Sequence, residues 1–251
     1  VQTTQFKAED RLQKTWIPEG TEEYKHFKIT TLENDFLAVY LRERFALKSN
    51  ELLLDVGGRE GDIAVKLQKP EAIHLVDPDP TLKLPFKPAK YWNEKIQNID
   101  LSEYKYKLII CSHVLGYFGT QNVQDRVFSD MVKFLDNSGT LVLFYNRNTD
   151  YMADLLDFSK RNLDHGHYDY FDEKLLSELD PKEYTITSSD VSFELNYESF
   201  EDLSRCCWFL FGAMDQDIEK VAKKFVSKLK KDLKKPLFVI EERITLITKK
   251  A

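Results

Sequence analysis

Gly57, Gly58 and Gly61 fall within five residues of a chain that has only nine glycines in 251. Clustering of this kind marks a backbone requirement, because glycine alone enters left-handed turns at no steric cost and lets another group approach the main chain. The flanking residues define what the turn connects. Glu51-Leu-Leu-Leu-Asp-Val56 is a short apolar run that reads as a buried strand. After Gly61, the apolar positions Ile63, Ala64 and Leu67 continue at helical spacing, and Pro70 ends the helix. Strand, glycine turn and helix open a nucleotide-binding βαβ unit.

The pattern continues. Ala72-Ile-His-Leu-Val76 is a second strand, closed by Asp77-Pro78-Asp79-Pro80. A weaker strand is expected near 90–96, a fourth at 107–111 and a fifth at 139–144. Between the last two, Val123, Val127, Met131, Phe134 and Leu135 form a helical stripe that Asp136-Asn-Ser-Gly139 is expected to stop. Strands alternating with helices imply a mainly parallel sheet covered on both faces. Later, 184–195 alternates as a strand that slips phase near Ser189-Asp190, as a bulge would. Pro236 precedes a last strand, 237–248. Leu32, Phe36, Val39 and Tyr40 mark an N-terminal helix. With no internal repeat or low-complexity linker, 1–251 reads as one domain. Its core is about 50–148 and 184–250, with helical additions at about 1–48, 150–180 and 198–235.

Composition narrows the function classes. Lys plus Arg number 36 against 42 Asp plus Glu, a net charge of -6 that suits a polyanionic backbone poorly, so no nucleic-acid partner is expected. No apolar run reaches membrane-spanning length and the N-terminus lacks a signal-peptide core, so no membrane partner is expected and a cytoplasmic setting fits. Cys111, Cys206 and Cys207 form no framework, and no Cys-x-x-Cys or His-x-x-x-His pair is present. His165 and His167 have no evident third ligand, so no metal is expected.

Leu54-Asp-Val-Gly-Gly-Arg-Glu-Gly-Asp-Ile63 resembles the first signature of class I S-adenosylmethionine-dependent methyltransferases, an apolar strand followed by D-x-G-x-G-x-G. Asp55, Gly57 and Gly61 match by position, and Arg59 stands where the family usually has its middle glycine. Ile110-Cys-Ser-His-Val-Leu-Gly-Tyr-Phe118 resembles the family's fourth-strand segment, and 132–144 its helix, turn and fifth strand. The resemblance spans roughly 30–250. It implies a Rossmann-like α/β fold: a seven-stranded, mainly parallel sheet with an antiparallel last strand, helices on both faces, and helical cap additions at both ends. It also implies methyl transfer to a small-molecule acceptor held under that cap, with S-adenosylmethionine as cofactor and S-adenosylhomocysteine as product.

Site residues follow from the same matches. Asp55, Gly57, Gly58 and Gly61 line the cofactor turn. Asp77, with Pro78, ends the second strand where a carboxylate meets ribose hydroxyls, its two oxygens suiting a cis-diol. The adenine edge falls among Gln97, Asn98, Ile99 and Asp100, with Asn98 and Ile99 preferred. Ser112 and His113, at the carboxyl end of the fourth strand, are also expected to line the cofactor, and His113 is the best placed as a catalytic base or a substrate donor. Tyr24, Phe27, Tyr117, Trp208 and Phe211 are the candidates for the acceptor pocket. Seven lysines between 223 and 235 surround the stripe Val221, Phe225, Leu229 and Leu233 as a solvated helix face. Arg59 is read as a surface arginine paired with Glu60 or Asp62. Two other readings stay open. One is a methyltransferase-like fold kept for binding or oligomerisation; the other is a nicotinamide-dependent reductase, which would want an unbroken G-x-G-x-x-G.

Overall fold

A computed structural model of the chain describes residues 32–118, 121–147, 154–155, 157–158, 161, 171, 173–194, 197–210, 218–232 and 239–251. Seven strands make one sheet: β1 (Leu53–Val56), β2 (Ile73–Val76), β3 (Lys90–Trp92), β4 (Tyr106–Ser112), β5 (Leu135–Asn146), β6 (Tyr184–Glu194) and β7 (Val239–Lys249). Their order is β3-β2-β1-β4-β5-β7-β6. The first five run parallel, and β7 is inserted antiparallel to both of its neighbours. The central position of β1 and the antiparallel β7 are as the sequence implied.

Strand alternation divides the core in two. Leu54, Val56, Ile109, Cys111, Leu141 and Leu143 face helix α3 (Gln121–Lys133), which contributes Val127, Phe128 and Met131. Leu53, Ile73, Leu108, Ile110, Val142 and Phe144 face α1 (Glu33–Arg44) and the single turn α2 (Ala64–Leu67). Short α4 (Lys174–Ser177) joins the first of these cores through Leu175. Beyond β6, α5 (Phe200–Leu210) and α6 (Ile218–Asp232) pack on one another, burying Leu203, Cys206, Cys207, Val221, Phe225 and Val226. Lys223, Lys224 and Lys228 are exposed, the solvated face expected of α6.

The expected N-terminal helix is α1; it buries Leu37, Ala38 and Leu41, whereas Leu32, Phe36 and Val39 are exposed. The small Ala38 lets the helix approach the sheet. Two local expectations are corrected. Strand β6 has no bulge, because its ladder with β7 is unbroken from Tyr184 to Glu194. Its phase slips because Tyr184 and Ile186 pack on one core while Val191 and Phe193 pack on the other. The 136–139 turn does not merely end α3. Helix α3 stops at Lys133 and Leu135 already begins β5, while the β4–β5 register shifts between Tyr106 and Leu108. Gly139 is needed there because a Cβ would lie 2.5 Å from the Tyr106 carbonyl oxygen.

Candidate functional site

The glycine turn leaves β1 at the carboxyl edge of the sheet and is held by main-chain bonds. Gly57 N–H donates to the Val76 carbonyl at 2.7 Å, which joins the start of the turn to the end of β2. Gly57 (φ 65°) and Gly61 (φ 74°) occupy the left-handed region that excludes most side chains. Gly58 serves close approach instead: a Cβ there would lie 2.2 Å from the Asp55 carboxyl carbon. The missing side chain lets the Asp55 carboxyl tuck beneath the loop.

Arg59 also has a left-handed backbone, φ 50°. That conformation directs its N–H to Asp77 Oδ2 at 3.0 Å, while Asp79 N–H donates to Asp77 Oδ1 at 3.0 Å. Asn93 Nδ2 ties down the same turn through the carbonyls of Asp77 and Asp79. The guanidinium does not project into solvent as a surface arginine would. Arg59 is half-buried with Nε and Nη2 shielded from water, and its charge helps to hold the Asp77 carboxyl down against the larger upward push of burial.

Asp55 and Asp77 put two buried carboxyls in this crevice. Asp55 is buried, and its carboxyl is pushed up to about 7, by burial and then by the charges of Asp77 and Asp62. Asp55 Oδ2 has no hydrogen-bond partner. Near the end of β3, Gln97 likewise leaves Oε1 buried without a partner. Asn98 instead is exposed, with Nδ2 bonded to Glu94, and Ile99 packs on the core. Of the adenine-edge candidates, Gln97 turns its amide oxygen inward and Asn98 turns outward, a difference that sequence alone could not show. Pro78 is half-buried between the two aspartates, and Ser112 is half-buried at the last position of β4.

His113 follows with φ 56° and donates its main-chain N–H to the Phe144 carbonyl at 2.8 Å. Its ring meets Phe144 edge-on at 4.7 Å, and Nε2 lies 3.3 Å from Glu242 Oε1. Burial pushes its pKa down, which favours a neutral imidazole. Val114 then packs directly on Gly57, since a Cβ on that glycine would lie 2.3 Å from Val114 Cγ1. The β4 terminus and the glycine turn are therefore one contiguous edge. Glu33, at the start of α1, joins His113 and Glu242 there, a grouping of residues too far apart in the chain for any spacing to announce. His74 is structural as expected, bonded through Nδ1 to Tyr106 Oη at 2.9 Å. Tyr24, Phe27, Phe211, His165 and His167, and the side chains of Tyr117 and Trp208, lie outside the described residues.

Solved structures share this fold. YcgJ from Bacillus subtilis superposes with a TM-score of 0.59 at 11% identity, over 86% of this chain and 99% of that one. A proposed methyltransferase of Bacillus halodurans C-125 gives 0.57 at 14%, over 85% and 99%. The plantazolicin methyltransferase BpumL, solved in complex with S-adenosylhomocysteine (SAH), gives 0.52 at 12%, over 97% and 98%. The chain has the class I methyltransferase fold. No family model matches it, and no curated protein matches it by sequence. In this methyltransferase fold the ligand crevice lies outside the carboxyl ends of the strands, at the switch point between β1 and β4. Asp55, Gly57, Asp77 and His113 stand at that edge.

Proposed function

We propose that the protein is an enzyme that transfers a methyl group from S-adenosylmethionine to a small-molecule acceptor beneath its helical additions. The observation that carries this reading is the pair of buried, unsatisfied acceptors in the crevice. A dinucleotide would bring its pyrophosphate to the glycine turn, where the Asp55 carboxyl lies beneath the loop with Oδ2 unpartnered and crowds a second acceptor. The methyl donor brings an ammonium, two ribose hydroxyls and an exocyclic amine, all hydrogen-bond donors. Unpartnered acceptors stand ready for them at Asp55 Oδ2 and Gln97 Oε1. Each Asp77 oxygen, already accepting one main-chain N–H, keeps a further lone pair for a ribose hydroxyl. The antiparallel β7 also departs from the dinucleotide-binding strand arrangement.

The donor supplies a methyl group already activated on a sulfonium. What this chain contributes is alignment and exclusion of water, which account for much of the rate in such a displacement. Asp77 with the Arg59 and Asp79 amides fixes the ribose end. The 57–61 turn and Asp55 fix the amino-acid end. His113, adjoining Val114 on the face of Gly57, is assigned to the acceptor side, together with Tyr24, Phe27, Tyr117, Trp208 and Phe211 of the additions. Calorimetric titrations with S-adenosylmethionine, SAH and NADH test the reading. Saturable binding of the first two and none of NADH is expected. NADH binding alone would convert the protein to a reductase, and binding of none would leave a non-enzymatic module.

A further inference from the structure

We propose that Glu33, His113 and Glu242 form a binding site for a divalent transition-metal ion, of the zinc type, at the carboxyl edge of β4. The three residues come from three separate elements: the first turn of α1, the residue after β4, and the start of β7. Each offers one ligand atom, and these atoms all lie within 4.8 Å of one another. His113 Nε2 and Glu242 Oε1 are 3.3 Å apart. Two ligands bound about 2.0–2.1 Å from one tetrahedral ion are separated by about 3.3 Å, so this pair needs no rearrangement.

The surroundings ask for an occupant. Glu242 is 1% exposed, yet its Oε2 has no hydrogen-bond partner. Glu33 Oε2 and His113 Nε2 are buried and unsatisfied in the same cluster. Asn146, directly opposite Glu242 in the β5–β7 ladder, leaves Oδ1 buried without a partner as well. Burying two carboxyls and an imidazole lone pair in this state is costly unless a cation or protons answer them. Burial first and then the neighbouring Glu242 charge push Glu33 up to about 8, with His113 opposing the shift.

The donor set selects the ion: an imidazole with two carboxylates suits zinc and its neighbours in the series better than magnesium or calcium. Three protein ligands leave a fourth position, and the His113 side chain, 25% exposed, marks the open side. His113 then acts as a ligand and not as a proton acceptor. Its left-handed backbone and its main-chain bond to Phe144 aim the ring, a strain of the kind that collects at functional positions. Used with the methyl-transfer reading, the ion would polarise an acceptor oxygen at its open position. The binding itself does not depend on that reading.

The test uses the full chain, freed of metal by dialysis against chelator and titrated with Zn²⁺ and separately with Co²⁺. One Zn²⁺ per chain with a Kd of about 10 µM or tighter is expected, and Co²⁺ should develop visible absorption from a low-symmetry site. Glu242→Gln and, separately, Glu33→Gln should each weaken Zn²⁺ binding about 30-fold or more while thermal unfolding shows both variants folded. Absence of saturable binding up to about 1 mM Zn²⁺ overturns the site, and the carboxyls are then simply protonated. Binding that survives both substitutions also overturns it, because the ion then sits elsewhere. Zn²⁺ binding without S-adenosylmethionine binding would sink the methyl-transfer reading and leave the metal site; the reverse result would do the opposite.

Discussion

The main-chain N–H of Arg59 donates to Asp77 Oδ2 at 3.0 Å, and this bond couples the glycine turn after β1 to the carboxylate that ends β2. It exists because Arg59 takes a left-handed backbone at the position where related turns have glycine. A non-glycine residue there costs about 1–2 kcal/mol. The charge-assisted bond to a buried carboxylate, worth about 1.5–3 kcal/mol, offsets that strain.

Asp77→Ala removes the acceptor for both loop amides. Affinity for SAH should fall tenfold or more, about 1.4 kcal/mol, with a loss of folding stability of about 1–3 kcal/mol. Arg59→Gly keeps the N–H and relieves the backbone strain, so affinity should stay within about threefold of the parent. Calorimetry and urea denaturation of both variants check this. Parent-like binding by Asp77→Ala would reduce Asp77 to a turn residue, and a tenfold loss in Arg59→Gly would make the guanidinium a ligand.

Close packing around the turn gives a second prediction. Gly57→Ala combines a positive φ with a Cβ 2.3 Å from Val114, and Gly58→Ala places one against Asp55. Each should cost about 2 kcal/mol or more in chemical denaturation, the scale of overpacking and backbone strain. An unchanged midpoint in either variant would mean that the turn relaxes freely and is not the fixed cradle described.

The pH dependence of stability follows from two buried groups of opposite sign. Asp55 is raised from 3.8 to about 7, so the stability tied to its protonated form is complete below pH 3.8 and is lost as pH rises through 7. His74 is lowered from 6.5 to about 4, so its contribution is present above pH 6.5 and is lost as pH falls through 4. Asp55→Asn should therefore flatten the alkaline limb between about pH 4 and 7 and leave the acid limb in place. At pH 8 the variant should exceed the parent by more than about 1 kcal/mol. Parallel profiles for the two proteins would show that Asp55 ionises normally.

Much of the framework was legible because it is local. The strand–glycine–helix pattern, the acid closing β2 and the order of later strands each sit within a short window of sequence. What was hidden depends on three dimensions. The buried face of α1 turns on Ala38, a residue too small to dominate a periodicity reading. The apparent slip in β6 is a regular strand passing from one core to the other. The burial of the Arg59 guanidinium and the meeting of Glu33, His113 and Glu242 have no sequence spacing to announce them. Gln97 was one of four neighbouring candidates, and only the structure distinguishes its buried amide oxygen from the exposed Asn98.

The most direct test of the donor site is a crystal structure of the protein with SAH. Ribose hydroxyls are expected about 2.7 Å from the Asp77 carboxylate, the amino-acid tail along the 57–61 turn beside Asp55, and the adenine near Gln97 and Ile99. SAH bound elsewhere, or a complex in which Asp77 keeps only its two main-chain partners, would contradict that placement.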